Sequence, residues 1–465
     1  MKGSYLKEVL KVFGVTILVL LLLGNIPDFE IKYKHFNLLS DILKTDSIAE
    51  NVPDESTGEE YTPSDSEKEL LAVAEDSVRG VETIASANKV KTPPPTTAGV
   101  FIEDFSEDKR ALASFYHALQ KESPKRPVRI GVLGDSFIEA DIMTSKLRNL
   151  LQAKYGGTGV GFVPVTSPAA QYRQTIHQNS SGWTTYSMVY YKKADWKKFC
   201  LSGFYFIPQE NASVALKTVN KESVAQTSFC FINQKHTKIS VSVNDKAATE
   251  YQPAPSESIQ QLVFADEPIR SLKVNVKNVD GFTGLGFYLN NKSGVYVDNF
   301  SVRGSSGSVL TTMSKELSMQ LAQHFQYDLL IIQYGLNVIA TDKKWYPSYK
   351  KLMVHAIRRL QECYPGVPIL MLSVGDKGSK SVDGITTHPG VLPLIEAQRQ
   401  AASEAKIAFW NTYKAMGGEK SMVQFVAHKP PMAAKDYTHI NYLGGDKIAG
   451  QLFNSLMNEQ DRLVP

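Results

Sequence analysis

Two hydrophobic periods alternate along this chain, and a third pattern interrupts them. Leu112, Phe115, Tyr116 and Leu119 recur at helical spacing. After Pro124 and Pro127, Val128, Ile130, Val132 and Leu133 make a short apolar run of the kind buried on both faces of a parallel sheet. The run ends in Gly134-Asp135-Ser136, and Ile142, Met143, Leu147, Leu150 and Leu151 then mark one face of a helix that stops at Gly156-Gly157. Strand, tight turn and helix in that order place Ser136 at the mouth of the turn, its own N–H beside a positive helix end that stabilises an anion. The alternation returns late in the chain. Residues 329–333, 368–372 and 407–410 read as strands and residues 346–363 and 392–405 as helices, and a last helix from about Leu443 turns Ile448, Leu452 and Leu456 inward. This predicts an α/β fold with a parallel sheet sandwiched by helices, over residues 101–166 and 294–465.

Between these halves the helical period is lost. Ile239, Val241 and Val243 alternate with Ser240 and Ser242, and Leu272, Val274 and Val276 alternate with Lys273 and Asn275, the signature of half-buried antiparallel strands. Residues 167–293 are long enough for an inserted antiparallel β-sandwich, expected to fold nearly on its own. Its aromatics include Trp183, Tyr186, Trp196, Phe204, Tyr205 and Phe206, which suit either a sandwich core or stacking on sugar rings.

The N-terminus follows a different logic. Lys2, Lys7 and Lys11 precede an apolar run over residues 12–26 with four consecutive leucines at 20–23, and no small-residue cleavage site follows before Pro27. Residues 1–28 therefore read as an uncleaved membrane anchor, with the N-terminus in the cytoplasm and the rest beyond the inner membrane, periplasmic, or secreted if the segment is cleaved. Residues 41–80 hold twelve Asp and Glu against Lys44, Lys68 and Arg79, and three prolines follow at 93–95. Residues 29–100 are expected to be a largely disordered acidic linker, with room for one helix around residues 69–81.

Composition removes whole classes of function. A net charge of +4 from 51 basic and 47 acidic residues offers no concentrated basic surface for nucleic acid. The three cysteines, Cys200, Cys230 and Cys363, have no zinc-ligand spacing, and no Cys/His cluster calls for a metal. Cys200 and Cys230 are the local pair able to form a bridge; three buried thiols are an equal alternative.

Ser136 requires a base, because a serine hydroxyl is a weak nucleophile until its proton is taken. Asp436-Tyr437-Thr438-His439 supplies an imidazole with a carboxylate three residues before it, just ahead of the last helix. Four patches in order then resemble the blocks of the SGNH hydrolase family, also called GDSL-like esterases: Gly134-Asp135-Ser136-Phe137, Val302-Arg303-Gly304-Ser305, Gly335-Leu336-Asn337 and the DxxH at 436–439. The resemblance implies Ser136 as nucleophile, His439 as general base and then acid, and Asp436 as the orienting carboxylate. It further implies an oxyanion hole made of the N–H groups of Ser136 and Gly304 and the side-chain amide of Asn337, with no cofactor. One position departs from the family pattern: Val338 stands where Asp often follows Asn.

Within that family, an exported chain with a β-domain between the first and second blocks is similar to bacterial peptidoglycan O-acetylesterases, whose insert resembles a family 35 carbohydrate-binding module. The expected function is an extracytoplasmic serine carbohydrate O-acetylesterase acting on an acetylated cell-wall or surface glycan. The alternatives are an O-acetyltransferase that takes acetyl from a membrane-bound O-acyltransferase partner and passes it to a polysaccharide, and a non-catalytic glycan-binding protein. Because all five site residues lie outside the insert, its removal is expected to spare hydrolysis of a small ester.

Overall fold

The computed structural model describes residues 100–465 apart from 190–193, 220–222, 265–266, 383 and 465, together with two short strands, Phe29–Ile31 and Lys34–Phe36, that pair antiparallel. The anchor expected over residues 1–28 and most of the linker over 29–100 lie outside the described residues. Among the described residues no helix is long and apolar enough to cross a membrane.

The first half of the α/β part comprises β1 (Glu103–Asp104), β2 (Pro127–Gly134) and α1 (Thr144–Tyr155). Nine strands follow: β3 (Gly161–Val163), β4 (Ile176–Ser187), β5 (Phe204–Thr218), β6 (Gln226–Asn233), β7 (Lys238–Val243), β8 (Thr249–Tyr251), β9 (Ser256–Phe264), β10 (Ser271–Lys277) and β11 (Phe282–Asn290). The second half adds β12 (Gly294–Ser301), α2 (Lys315–His324), β13 (Leu329–Gln333), α3 (Tyr346–Cys363), β14 (Ile369–Leu372), α4 (Val391–Glu404), β15 (Ala408–Trp410) and α5 (Tyr442–Leu463).

The α/β sheet has six strands in the order β12-β2-β13-β14-β15-β1. All neighbours are parallel except β1, which lies antiparallel on β15, so the sheet is mixed at one edge. Helices α1 and α5 pack together, and α2 and α4 each pack on α3, so two helical groups flank the sheet. Val128, Ile130, Val132 and every residue of β13 are buried, as strands covered on both faces require. Strand β12 escapes a reading based on apolar runs, because Asp298 and Asn299 interrupt it. Both are buried, and Asp298 is matched by Arg129 (Nη1 to Oδ2, 3.3 Å), the Tyr327 hydroxyl (2.9 Å) and the Phe162 N–H (2.8 Å).

The interrupting segment is one curled antiparallel sheet of nine strands rather than a sandwich of two separate sheets. Its order is β8-β7-β10-β5-β11-β6-β9, with β3 added on β11 and β4 on β5. The 15-residue β5 explains the curl: its end around Val214 and Leu216 pairs with β10, whereas Phe206 pairs with β11. Wrapped on itself, the sheet encloses Phe206, Phe229, Phe231, Phe282 and Phe287 with Val214, Val241 and Val274. Strand alternation sends the intervening residues the other way. Cys230, Ile232, Leu285 and Tyr288 belong to the same core as the α/β sheet. Since β3 already pairs with β11, this sheet starts before residue 167.

A buried arginine fastens the two parts together. Arg129 on β2 donates to Asn290 Oδ1 of β11 at 2.7 Å, and its guanidinium lies 5.2, 5.4 and 5.0 Å from the ring centres of Tyr288, Tyr296 and Phe325. This shared core sits beside the curled sheet's own core and argues against an insert that folds nearly on its own. Cys200, Cys230 and Cys363 are all free and buried, and burial pushes the Cys230 thiol well above its ordinary value.

Candidate active site

Ser136 follows the end of β2, at the edge of the sheet where ligands bind in open α/β folds. At Gly134 a Cβ would lie 2.8 Å from the Gln333 carbonyl oxygen and 2.8 Å from Ile138 Cδ1, so only glycine lets β2 close on β13 before the chain turns. The turn differs from the sequence expectation. A 3-10 turn begins at Ser136 and breaks at Glu139 (ψ 159°) and Ala140; Ala140, Asp141 and Met143 take φ values of 56°, 70° and 65°, and α1 begins only at Thr144. Ser136 therefore opens a strained 3-10 turn and does not lie at the start of α1.

The structure brings Ser136, His439 and Asp436 into one hydrogen-bonded series. Ser136 Oγ lies 3.2 Å from His439 Nε2, and His439 Nδ1 lies 2.7 Å from Asp436 Oδ2. With Nδ1–H donated to the carboxylate, the Nε2 lone pair faces the serine hydroxyl. The three-residue spacing has a local cause: Asp436 Oδ1 accepts the N–H groups of Thr438 (2.9 Å) and His439 (3.0 Å), closing a tight turn, with Tyr437 at φ 55°. Burial acts upward on the Asp436 carboxyl, but the His439 ring and these two N–H groups outweigh it and hold it below its ordinary value. The loop is tied down where the Gly378 N–H donates to the Tyr437 carbonyl at 2.8 Å.

The three expected oxyanion donors sit on the same edge. Gly304 occupies an exposed turn after β12 with φ 77°. Asn337 lies in the 3-10 turn Leu336–Val338 after β13, preceded by Gly335 at φ 136°, where a Cβ would approach Val374 Cβ to 2.7 Å. Asn337 Nδ2 donates to the Ser305 carbonyl at 3.0 Å and to Asp135 Oδ2 at 3.3 Å, which occupies both amide hydrogens. Donation to an oxyanion would therefore replace the longer bond. Val338 is fully buried, so a carboxylate in its place would carry a large desolvation cost.

Asp135 lies fully buried next to Ser136, its Oδ1 accepting the Phe137 N–H at 2.9 Å. Burial pushes its carboxyl up to about 7, against the pull of the N–H groups of Phe137, Leu336 and Gly335 and the charge of His439. A folded value above the unfolded one means that its contribution to stability is fully present below the ordinary carboxyl value of 3.8 and is lost as pH rises through about 7. For a shift of this size the loss is on the order of a few kcal/mol. In Asp135→Asn the fall in melting temperature between pH 5 and pH 8 should be smaller than in wild type. Parallel pH dependence in the two proteins would contradict titration of Asp135 in that window.

Glu139 carried no sequence signal, and Arg303 stood only as a neighbour of Gly304 in the second block. Arg303 pairs with Glu139 of the turn that follows Ser136 (Nε to Oε2 2.9 Å, Nη2 to Oε2 2.5 Å), across a separation of 164 residues. The pair lines a cleft of 460 Å³ that runs beneath the curled sheet past Phe162, Arg173, Phe204 and Phe300. Among the described residues no group of three or more His, Cys, Asp or Glu is placed to hold a metal ion.

The chain matches no family model and no curated protein sequence. Among solved structures it is similar to a peptidoglycan O-acetylesterase, with 19% identity and a TM-score of 0.63 over 78% of this chain and 99% of the other. It also aligns with a salicylyl-acyltransferase from a tetracycline biosynthetic pathway (13% identity, TM-score 0.30, 64% of this chain and 96% of the other). A family two carbohydrate esterase from Cellvibrio japonicus aligns at 10% identity and a TM-score of 0.27, over 62% of this chain and 98% of the other. These last two superpose too loosely to bear on the site. At 78% of this chain the first match covers more than the α/β part alone, and the chain shares the fold of that structure.

Proposed function

We propose that this protein is an extracytoplasmic serine esterase that removes O-acetyl groups from a cell-wall or surface glycan through an acyl-serine intermediate. The observation that carries the reading is the series Ser136 Oγ, His439 Nε2, His439 Nδ1, Asp436 Oδ2, with contacts of 3.2 and 2.7 Å. Ser136 Oγ attacks the acetyl carbonyl while His439 Nε2 takes its proton, and Asp436 stabilises the imidazolium that forms. The tetrahedral oxyanion meets the N–H groups of Ser136 and Gly304 and the Asn337 amide. Its collapse expels the sugar hydroxyl, which receives the proton from His439. Water, deprotonated by the same imidazole, then releases acetate and frees Ser136.

The glycan reading draws support from the fold shared with a peptidoglycan O-acetylesterase and from the cleft beside the Gly304 turn. The extracytoplasmic reading rests on the lysines and apolar run at the N-terminus. Acetate released from O-acetylated peptidoglycan, followed by NMR alongside a small soluble acetyl ester, tests the substrate class. Turnover of the small ester with no acetate from any acetylated glycan would refute it.

The oxyanion assignment has its own test. Asn337→Ala should lower kcat on the small ester by about a hundredfold or more with a much smaller change in KM. A change confined to KM would make Asn337 a substrate ligand instead.

A further inference from the structure

The nucleophile turn holds three left-handed, non-glycine residues, Ala140, Asp141 and Met143, and such conformations persist only where surrounding contacts over-determine them. Those contacts come from an unexpected place. Asp141 is buried, and its Oδ1 accepts Thr144 Oγ1 (2.6 Å) and Arg148 Nη1 (3.2 Å) from its own side. Its Oδ2, paired with Arg148 Nη2, also accepts the Thr175 hydroxyl at 2.7 Å and Arg173 Nη2 at 3.4 Å. Arg173 Nε donates to Thr175 Oγ1 at 3.0 Å, and its Nη1 donates to the Phe162 carbonyl at 3.3 Å, so Arg173 and Thr175 act as one unit. Both residues belong to the segment that leads into the curled sheet.

The same segment reaches the other side of the site. The Tyr442 hydroxyl, at the start of α5 just beyond His439, donates to the Ala140 carbonyl, with the Tyr172 carbonyl 3.2 Å away, and accepts the Gln174 N–H at 3.1 Å. Residues 172–175 thus contact the turn that carries Ser136 and the helix start that follows His439.

We propose that residues 172–175 are a positioning element of the catalytic centre: Thr175, Arg173 and Tyr442 clamp the strained nucleophile turn and so set the spacing between Ser136 and His439. This rests on Ser136 acting as the nucleophile. Arg173 also lines the cleft, but Thr175 and Tyr442 lie outside its lining, so the signature of these two is in kcat and not in KM. A misplacement of reacting groups by about an ångström can cost up to about a hundredfold in rate.

The test uses the full chain and 4-nitrophenyl acetate, with Thr175→Val and Tyr442→Phe as near-isosteric losses of a hydroxyl, Thr175→Ser as the conservative restoration, and Ser136→Ala as control. Folding is checked by circular dichroism and melting. The expected result is a fall in kcat of about tenfold or more in Thr175→Val and Tyr442→Phe, KM within about twofold of wild type, and near-complete recovery in Thr175→Ser. Folded Thr175→Val and Tyr442→Phe proteins that keep wild-type kcat would overturn the proposal, even if they melt earlier, because the contacts would then be structural only. An inactive Ser136→Ala control in that case would leave the nucleophile assignment standing, whereas an active control would mean the nucleophile assignment itself had failed.

Discussion

Substituting Ser136 with alanine is expected to lower turnover of a small acetyl ester by about three to six orders of magnitude while leaving the melting temperature nearly unchanged. The magnitude follows from the role proposed for the hydroxyl: it would be the atom acylated, and neither His439 nor the oxyanion donors could replace it. The small effect on stability follows from its setting. Ser136 is only half-buried, and among the described residues its hydroxyl has one hydrogen-bond partner, His439 Nε2 at 3.2 Å. Acetate release and thermal melting on the same preparation separate the two effects. A folded Ser136→Ala protein retaining a tenth of wild-type activity would remove the serine mechanism.

Replacing residues 167–293 with a short Gly/Ser linker is expected to abolish hydrolysis of the small ester and to leave no cooperatively folded protein. The proposed catalytic residues all lie outside this segment, which by itself argues for the opposite outcome. The core decides between the two. Cys230, Ile232, Leu285 and Tyr288 would be stripped from the face they share with the α/β sheet. Arg129, 3% exposed, would lose Asn290 and the Tyr288 ring. Arg129 would keep Asp298, but losing a hydrogen bond to a charged group costs roughly 1.5–3 kcal/mol, a sizeable part of the roughly 5–15 kcal/mol that holds an ordinary domain together. Asp141 would lose Arg173 and Thr175 as well. Soluble protein that melts cooperatively and hydrolyses the ester near the wild-type rate would show that the shared core is dispensable.

Much of the α/β architecture was legible because its signals are local. The run at 329–333 and the helical period at 346–363 correspond residue for residue to β13 and α3. Ser136, Asp436 and His439 could be singled out because motif order and the DxxH spacing are written in the chain, and the spacing works through a turn closed by Asp436 itself. What was not legible depends on partners far away in sequence. Strand β12 hides behind Asp298 and Asn299, which are tolerated in the interior only because Arg129 and Tyr327 meet Asp298. The left-handed path at Ala140 and Asp141 follows from Thr175, Arg173 and Tyr442, and none of their spacings announces it. The curl of the nine-stranded sheet is likewise invisible in its alternation, since a strand that bends across two layers has the same period as one that stays in a single layer.

The central claim is that an acetyl group rests covalently on Ser136. The measurement closest to it is peptide mapping by mass spectrometry after rapid acid quenching of the protein with an activated acetyl ester, in wild type and in Ser136→Ala. The account predicts acetylation on the peptide bearing Ser136 and its absence in Ser136→Ala. Steady turnover with no acetyl on Ser136, or acetylation of another residue in step with turnover, would contradict it.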